Sequence, residues 1–291
     1  MPFPADRIGF QLPPVTWDIS TRMILAYAAG IGADAPAYLD DVQAGGLRAL
    51  PFQCVSLEWP VLVSMRGATQ DVLPPTEAMR GVHAVQDSTF HRPMRPGDQL
   101  VTEGQLVSVK TIRAGVLVVL RLITRDRRTG EMVTTTWTSS IYRDVALAGP
   151  DATLAEPEPL DPADLNAPGP EAESMRIPIP KGMPHAYSEC ADIWNPIHTE
   201  RAVALAAGLP DIILHGTATW ALAGLTLLHR YGGDDVGALK RITGRFSGMV
   251  FPGETIEVRH ERSPSGAIRF AVLTQAGRPA ISQGVAWLDA R

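Results

Sequence analysis

Two stretches of the chain alternate apolar and polar residues with a period of two, which is typical of half-buried β-strands. In the first half the alternating runs cover 81–94, 98–114, 116–126 and 131–143. In the second half they cover 241–251, 254–263, 266–275 and 279–288. Within each half, successive runs are separated only by short turns. The pattern therefore predicts two antiparallel meanders, one in each half.

Apolar residues with helical spacing precede both meanders. The spacing predicts a helix over 21–31, a short helix over 199–207, and a longer helix that starts near Thr217 and includes WALAGLTLLHRY. Gly224, inside the longer helix, would let a strand approach closely. A sheet curved around one apolar helix buries that helix completely, so each half is expected to be an α+β unit of this kind.

A short sequence motif occurs once in each half. Phe90 is followed by five residues and then Pro96-Gly97-Asp98, and Phe246 is followed by five residues and then Pro252-Gly253-Glu254. Pro-Gly followed by an acidic residue is a turn signal, and strand-like sequence follows both copies. The repeat indicates a duplicated fold.

The segment 146–174 separates the halves by composition. It contains six prolines, seven acidic residues and no lysine or arginine. Proline removes backbone donors and like charges repel, so we expect an extended linker. The predicted domains are 1–145 and 175–291.

Charge and composition exclude several function classes. The formal net charge of −5 disfavours nucleic acid and anionic membranes as partners. No apolar run is long enough for a membrane span, no signal peptide is recognised, and a cytoplasmic location is expected. Cys54 and Cys190 form neither a disulfide framework nor a zinc site, and there is no phosphate-binding glycine motif. No metal and no external cofactor are expected.

The candidate chemistry lies between residues 187 and 220. In Asn195-Pro196-Ile197-His198, proline stiffens a loop that presents two polar side chains, and His198 can act as a general acid or base near neutral pH. Asp192, with Glu189 and Cys190 nearby, can share the activation of one water. The apolar run before Gly216 ends at a helix start, where the Gly216 N–H can face a developing oxyanion.

Together these segments resemble the MaoC-like hydratases, and most closely the (R)-specific enoyl-CoA hydratases. The family has a segment S-G-D-x-N-P-[IL]-H, then a helix ending in A-G, then I-[LI]-H-G. The matching segments here are NPIH at 195–198, AAGLPDIILHG at 206–216 and RFSGMVFPGE at 245–254. The segments 26–33, 47–52 and 81–98 resemble the N-terminal, non-catalytic part of the family, so the resemblance covers most of the chain.

The resemblance implies a double hot-dog fold whose first half supplies the acyl-chain side and whose second half carries the catalytic loop. It implies reversible hydration of trans-2-enoyl-CoA to (3R)-hydroxyacyl-CoA, with CoA as part of the substrate. His198 and Asp192 would activate the water, Asn195 would orient it, and the Gly216 N–H would bind the thioester oxygen. A homodimer is expected, as in related proteins.

One position departs from the family pattern. The family aspartate lies five residues before the histidine, and that position is Ile193 here. Either the loop has one extra residue and Asp192, six before His198, still faces the water, or the aspartate is absent. Glu189 is the reserve candidate.

Four cations are candidates for binding the CoA phosphates: Lys240, Arg241, Arg245 and Arg201. Three alternative functions stay open from sequence. The first is a hydratase for a branched, dicarboxylic or steroid-derived enoyl-CoA, for which the departure at Ile193 and the nearby Trp194 leave room. The second is a hot-dog thioesterase, and the third is a catalytically silent partner subunit.

Overall fold

The computed structural model of the protein describes residues 1–69 and 80–289. These residues form two compact units. The first consists of Met1–Asp18, Leu57–His91 and Gln99–Pro159, and the second of Ile19–Ser56, Arg92–Asp98 and Leu160–Arg291. The predicted division at 146–174 places 19–56 in the first half instead, and that division stays a prediction.

An antiparallel sheet forms most of the first unit. Its strand order is β2-β4-β5-β6-β3, and the short β8 pairs with β4. A separate parallel pair joins β1 and β7. The bounds are β1 (Phe3–Pro4), β2 (Gln11–Asp18), β3 (Gly81–Phe90), β4 (Gln99–Ile112), β5 (Gly115–Asp126), β6 (Met132–Arg143), β7 (Leu147–Ala148) and β8 (Ala152–Thr153). The four strands predicted in this half are confirmed.

The core helix of the first unit is α3 (Cys54–Thr69), which belongs to this unit from Leu57 onward. Val61 and Met65, one turn apart, lie in the same apolar core as Leu106 and Leu122 from the sheet. Because Pro60 lies inside this helix, its sequence does not read as a helix from local signals. The helix predicted over 21–31 is therefore not the core helix of this unit.

Five antiparallel strands in the order β10-β13-β12-β11-β9 form the frame of the second unit. Its strands are β9 (Glu173–Pro178), β10 (Leu239–Phe246), β11 (Thr255–Arg262), β12 (Ile268–Leu273) and β13 (Pro279–Leu288). The four strands predicted in this half are confirmed, and β9 is an additional edge strand that begins at the end of the proline-rich segment.

The helices of the second unit are α1 (Thr21–Gly30), α2 (Pro36–Leu39), α4 (Met183–Ala191), α5 (Arg201–Ala206) and α6 (Gly216–Leu227). Helix α6 is apolar on all sides and packs against β10, β11, β12 and β13. A π-helical turn, Leu228–Gly232, extends it, which confirms the longer predicted helix.

Helix α1 forms where the sequence predicts it, but it packs against α4 within the second unit. Gly30 makes this contact possible, because a Cβ at Gly30 would lie 2.6 Å from the Cβ of Cys190. The small residues of α1 therefore serve close helix packing here.

The proline-rich segment is held at several points, among them the ion pair of Lys110 with Glu156 at 2.7 Å and the hydrogen bond from the Gly169 N–H to Glu261 at 2.9 Å. Asp164 is buried and accepts hydrogen bonds from the Ser265 hydroxyl, with distances of 2.8 and 3.1 Å to its two carboxylate oxygens. Between β8 and β9 the chain has turns but no helix or strand. Among the described residues, no helix combines the length and apolar character needed to cross a membrane.

Candidate active site

The candidate site begins at the C-terminal end of α4. Asp192 follows the helix with φ 54° and ψ 42°, the left-handed conformation that commonly ends a helix. The N–H of Ile193 donates to the Ser188 carbonyl at 3.0 Å, which is the six-residue bond of a Schellman motif. Ile193 is only 4 % exposed. An αL residue followed by a buried apolar residue is the arrangement that this motif favours.

The loop then turns to present His198. Asn195 is extended, as expected before proline, and Pro196–His198 form a single 3₁₀ turn in which the His198 N–H donates to the Asn195 carbonyl at 3.0 Å. Both Asn195 and His198 are half-buried. The predicted rigid loop therefore forms.

A backbone carbonyl holds the His198 ring. Nδ1 lies 2.8 Å from the Ile213 carbonyl oxygen, and since a carbonyl only accepts, Nδ1 carries the hydrogen. Nε2 is then an acceptor, and it has no hydrogen-bond partner among the described residues. Burial lowers the pKa of His198 to about 4, partly opposed by the Ile213 carbonyl. His198 is therefore neutral near pH 7, with its basic nitrogen available.

Gly216 directly follows His215, whose ring stacks on that of His198. The segment before it is held by the Leu214 N–H, which donates to the Val250 carbonyl at 2.8 Å. Gly216 is the first residue of α6, and no side chain caps this helix. Its N–H has no acceptor among the described residues, so it can donate to a bound oxygen. A Cβ at Gly216 would lie 3.1 Å from a ring carbon of Phe246.

A second histidine belongs to this site and was not predicted to have a role. His215 is 2 % exposed, and its ring stacks on that of His198 with a centroid distance of 3.7 Å and an angle of 24°. Its Nε2 lies 3.1 Å from the Ser188 hydroxyl. The sequence motif ILHG contains His215, but the spacing alone pointed only to the glycine that follows it.

The two carboxylates predicted near His198 belong to Asp192 and Glu189, which are both exposed. Neither carboxylate makes a hydrogen bond or ion pair with a described residue. No cluster of three or more histidine, cysteine, aspartate or glutamate side chains suited to a metal occurs among residues 1–69 and 80–289. The role of Asp192 in water activation stays a prediction.

Three of the four predicted phosphate-binding cations make contacts of their own. Arg201 pairs with Asp211 at 3.3 Å, Lys240 pairs with Asp289 at 2.9 Å, and the Arg241 guanidinium lies 5.1 Å from the Trp287 ring centroid. Arg245 is exposed and makes no ion pair within the described part of the chain. Phosphate binding by these residues stays a prediction.

Two known protein-family models match this chain, one in each half. The model of the MaoC like domain matches residues 176–282, which include the whole candidate site. This chain carries a MaoC-like dehydratase domain. A second model, the FAS1-like dehydratase domain region, matches residues 6–136, so the MaoC-like domain follows a dehydratase-related first half.

Curated relatives match this MaoC-like protein over nearly its whole length. "Probable enoyl-CoA hydratase 2" of Dictyostelium discoideum is 24% identical over 285 residues, covering 97% of this chain and 95% of the relative. "3-hydroxyacyl-thioester dehydratase Y" of Mycobacterium tuberculosis is 28% identical over 271 residues, covering 91% and 89%.

Solved structures confirm the fold of the MaoC-like protein. A MaoC-like dehydratase from Phytophthora capsici superposes with a TM-score of 0.83 at 23% identity, covering 98% of this chain and 99% of that one. A Mycobacterium tuberculosis protein described as a double hot-dog has a TM-score of 0.60 at 16% identity, with coverage of 97% and 96%. The predicted α+β double hot-dog is therefore confirmed.

Proposed function

We propose that this MaoC-like protein catalyses the reversible addition of water to a trans-2-enoyl-CoA to give the (3R)-hydroxyacyl-CoA. The observation that carries the proposal is the neutral His198, whose Nδ1–H is held by the Ile213 carbonyl while Nε2 stays open. The protein belongs to the hydratase and dehydratase class of enzymes, and its relatives carry the names enoyl-CoA hydratase and 3-hydroxyacyl-thioester dehydratase.

In the hydration direction His198 acts first as a base. Nε2 takes a proton from water as the water oxygen forms a bond to C3 of the substrate. The π electrons of the C2–C3 double bond move toward the thioester, which becomes an enolate. The imidazolium of His198 then returns a proton to C2, so one water is added and the histidine is regenerated.

The enolate needs a donor for the oxygen on which negative charge develops. The free N–H of Gly216, at the N-terminus of the 12-residue helix α6, can supply that hydrogen bond. The helix dipole adds to the effect, because the positive end of the helix lies at Gly216. We assign Asn195 to the orientation of the attacking water, since its side chain is half-buried in the same turn as His198.

Asp192 has two possible roles, and one substitution separates them. If Asp192 is the second acid–base group, Asp192→Asn should lower kcat by about 10²–10⁴. We expect instead that the variant keeps the same order of kcat, because Asp192 is exposed and occupies the αL position that ends α4. Asparagine tolerates this conformation, so the fold should be unchanged.

A stability measurement tests the αL position directly. Asp192→Gly is expected to raise the free energy of unfolding by up to about 1 kcal/mol, because glycine adopts the left-handed region without strain. Glu189→Gln is the matched control, since it removes the other exposed carboxylate of the segment without changing the αL residue.

The same control applies to the measurement of kcat. If Asp192→Asn loses much of its kcat and Glu189→Gln does not, Asp192 is the second acid–base group.

The proposed function is tested by following the loss of enoyl-thioester absorbance with crotonyl-CoA and with a longer trans-2-enoyl-CoA. A coupled (3S)-specific dehydrogenase reports the hand of the product. We expect absorbance to fall without (3S) product. Release of free CoA would instead identify a thioesterase. Binding of CoA esters without turnover would identify a silent subunit or a hydratase for a different acyl group.

Four finer features belong to the proposal. The (3R) configuration and the homodimer rest on the family resemblance, whereas the cytoplasmic location and the absence of an external cofactor rest on the sequence motifs and on the acid–base chemistry. The first is decided by the coupled assay, and the oligomeric state by light scattering of the purified protein.

A further inference from the structure

Two contacts hold the His198 ring: the hydrogen bond from Nδ1 to the Ile213 carbonyl, and the stack against the His215 ring. The Ile213 carbonyl fixes the position of Nδ1 at 2.8 Å. A single hydrogen bond still lets the ring rotate about the Nδ1···O direction, which would swing Nε2 away from its target. The stack against His215, with ring centroids 3.7 Å apart, removes that freedom.

His215 is itself held from more than one side. Its Nε2 lies 3.1 Å from the Ser188 hydroxyl of α4, and the Tyr187 ring lies 4.9 Å away at an angle of 57°. The Tyr187 hydroxyl in turn donates to Thr217 Oγ1 at 3.1 Å, in the first turn of α6. The buried His215 ring is therefore anchored to α4, while the backbone of His215 leads into α6.

We propose that His215 is a positioning residue, whose ring sets the plane of the His198 imidazole and thereby the direction of Nε2. This inference rests on the proposed function of His198. A misplacement of about 1 Å in a reacting group can lower the rate about 10²-fold, so the stacked His215 ring should have a measurable effect on kcat. Ser188 acts one step further out, because its hydroxyl orients the His215 ring.

The surroundings of His215 argue that it positions His198 and does not itself transfer a proton. His215 is 2 % exposed, and its Nε2 already faces Ser188. Burial, and next the charge that His198 can carry, lower the pKa of His215 to about 2, opposed in part by the Ile193 backbone. His215 therefore stays neutral while His198 gains and loses a proton beside it.

Two substitutions at His215 test the proposal through kcat and KM. His215→Ala removes the stacked ring, and kcat is expected to fall about 10- to 100-fold with KM changed much less. His215→Phe keeps a flat aromatic ring, although a larger one without the nitrogen that contacts Ser188, so it should restore most of the lost kcat. His229→Ala, at an exposed histidine, is the control and should leave both constants unchanged.

A third variant covers the case in which the His215 variants fold poorly. Ser188→Ala removes one hydroxyl from the Nε2 of His215 and should give a smaller fall in kcat. Thermal unfolding of each variant shows whether the second unit is intact. A His215→Ala protein with wild-type kcat would overturn the proposal. So would a His215→Phe protein that folds but is as inactive as His215→Ala, since that result would place the imidazole itself in the chemistry.

A spectroscopic measurement tests the positioning without any substrate. In ¹⁵N-histidine spectra, His198 should be almost entirely the Nδ1–H tautomer in the wild type and in His215→Phe. In His215→Ala the Nδ1–H tautomer should persist, because the Ile213 carbonyl still holds Nδ1, but the ring should rotate more freely about the Nδ1···O direction. Relaxation of the His198 ring carbons should then give a lower order parameter than in the wild type and in His215→Phe. If the wild type hydrates no enoyl-CoA, the proposed function fails, and an unchanged ring order parameter in His215→Ala would separately overturn the positioning role.

Discussion

Replacing His198 with alanine is expected to lower kcat by about 10²–10⁴, the usual contribution of one general acid–base group. The half-buried His198 has an open Nε2, and no carboxylate of the described residues contacts it. The same nitrogen accepts the proton of water and returns a proton to C2 in the proposed mechanism. We expect KM to change far less than kcat, because the ring acts on the reacting atoms and not on the CoA portion.

His198→Gln separates proton transfer from shape. Glutamine can still donate to the Ile213 carbonyl, but it has no basic nitrogen, so its kcat should stay close to that of the alanine variant. His185→Asn is the control, since this exposed histidine contacts the Thr199 carbonyl and has no place in the proposed chemistry. Retention of most of the wild-type kcat in His198→Ala would contradict the proposed function.

The pH dependence gives an independent measure of the same group. Because burial lowers the pKa of His198 to about 4, the basic form persists well below the ordinary histidine value of 6.5. The acid limb of kcat/KM should therefore lie below pH 6.5.

The same lowered pKa affects stability. In the unfolded chain His198 binds a proton at about pH 6.5, so its contribution to the free energy of unfolding is fully present above that pH. It is lost as the pH falls toward 4.

Gly224→Ala is expected to destabilise the protein by about 1–3 kcal/mol, although alanine is the better helix former. A Cβ at Gly224 would lie 2.1 Å from Cε1 and 2.4 Å from Cζ of Phe52, far inside van der Waals contact. Phe52 is fully buried and packs edge-on against Trp220 at 5.6 Å, so it has no room to move away. Chemical denaturation should show a lower midpoint.

Two further variants make this prediction specific. Gly182→Ala adds the same methyl group where no atom lies within 4 Å, and its effect should stay within about 0.5 kcal/mol. In Gly224→Ala combined with Phe52→Leu, the smaller side chain should relieve part of the clash, so the two effects should not add. An unchanged midpoint in Gly224→Ala would show that the packing around Phe52 adapts.

The sequence predicted Gly224 as a site of close approach but assigned the wrong neighbour. A strand was expected to approach the helix, whereas the aromatic ring of Phe52 does so. Periodicity shows which face of a helix carries small side chains. It does not show which distant residue packs against that face. The helix α3 was missed for a related reason, since Pro60 breaks the local helical signal while packing of Val61 and Met65 stabilises the helix.

The loop around His198 shows the same limit at the level of chemistry. The Asn195-Pro196 step was enough to predict a rigid turn that presents His198, because proline restricts its own backbone and that of its neighbour. The placement of Asp192 could not be predicted in this way. Whether Asp192 faces a substrate or ends a helix depends on where α4 ends, and the burial of Ile193 sets that point.

The sequence by itself determined the elements whose causes are local. These are the eight predicted strands, whose side chains alternate with a period of two, the apolar helix α6, and the proline-stiffened turn at His198. The tertiary structure alone decided which groups meet. It brought the His215 ring against His198 and placed the Ile213 carbonyl on Nδ1. These contacts join residues 15 to 17 positions apart in sequence, and their geometry depends on how α4 and α6 pack rather than on any local preference of the chain.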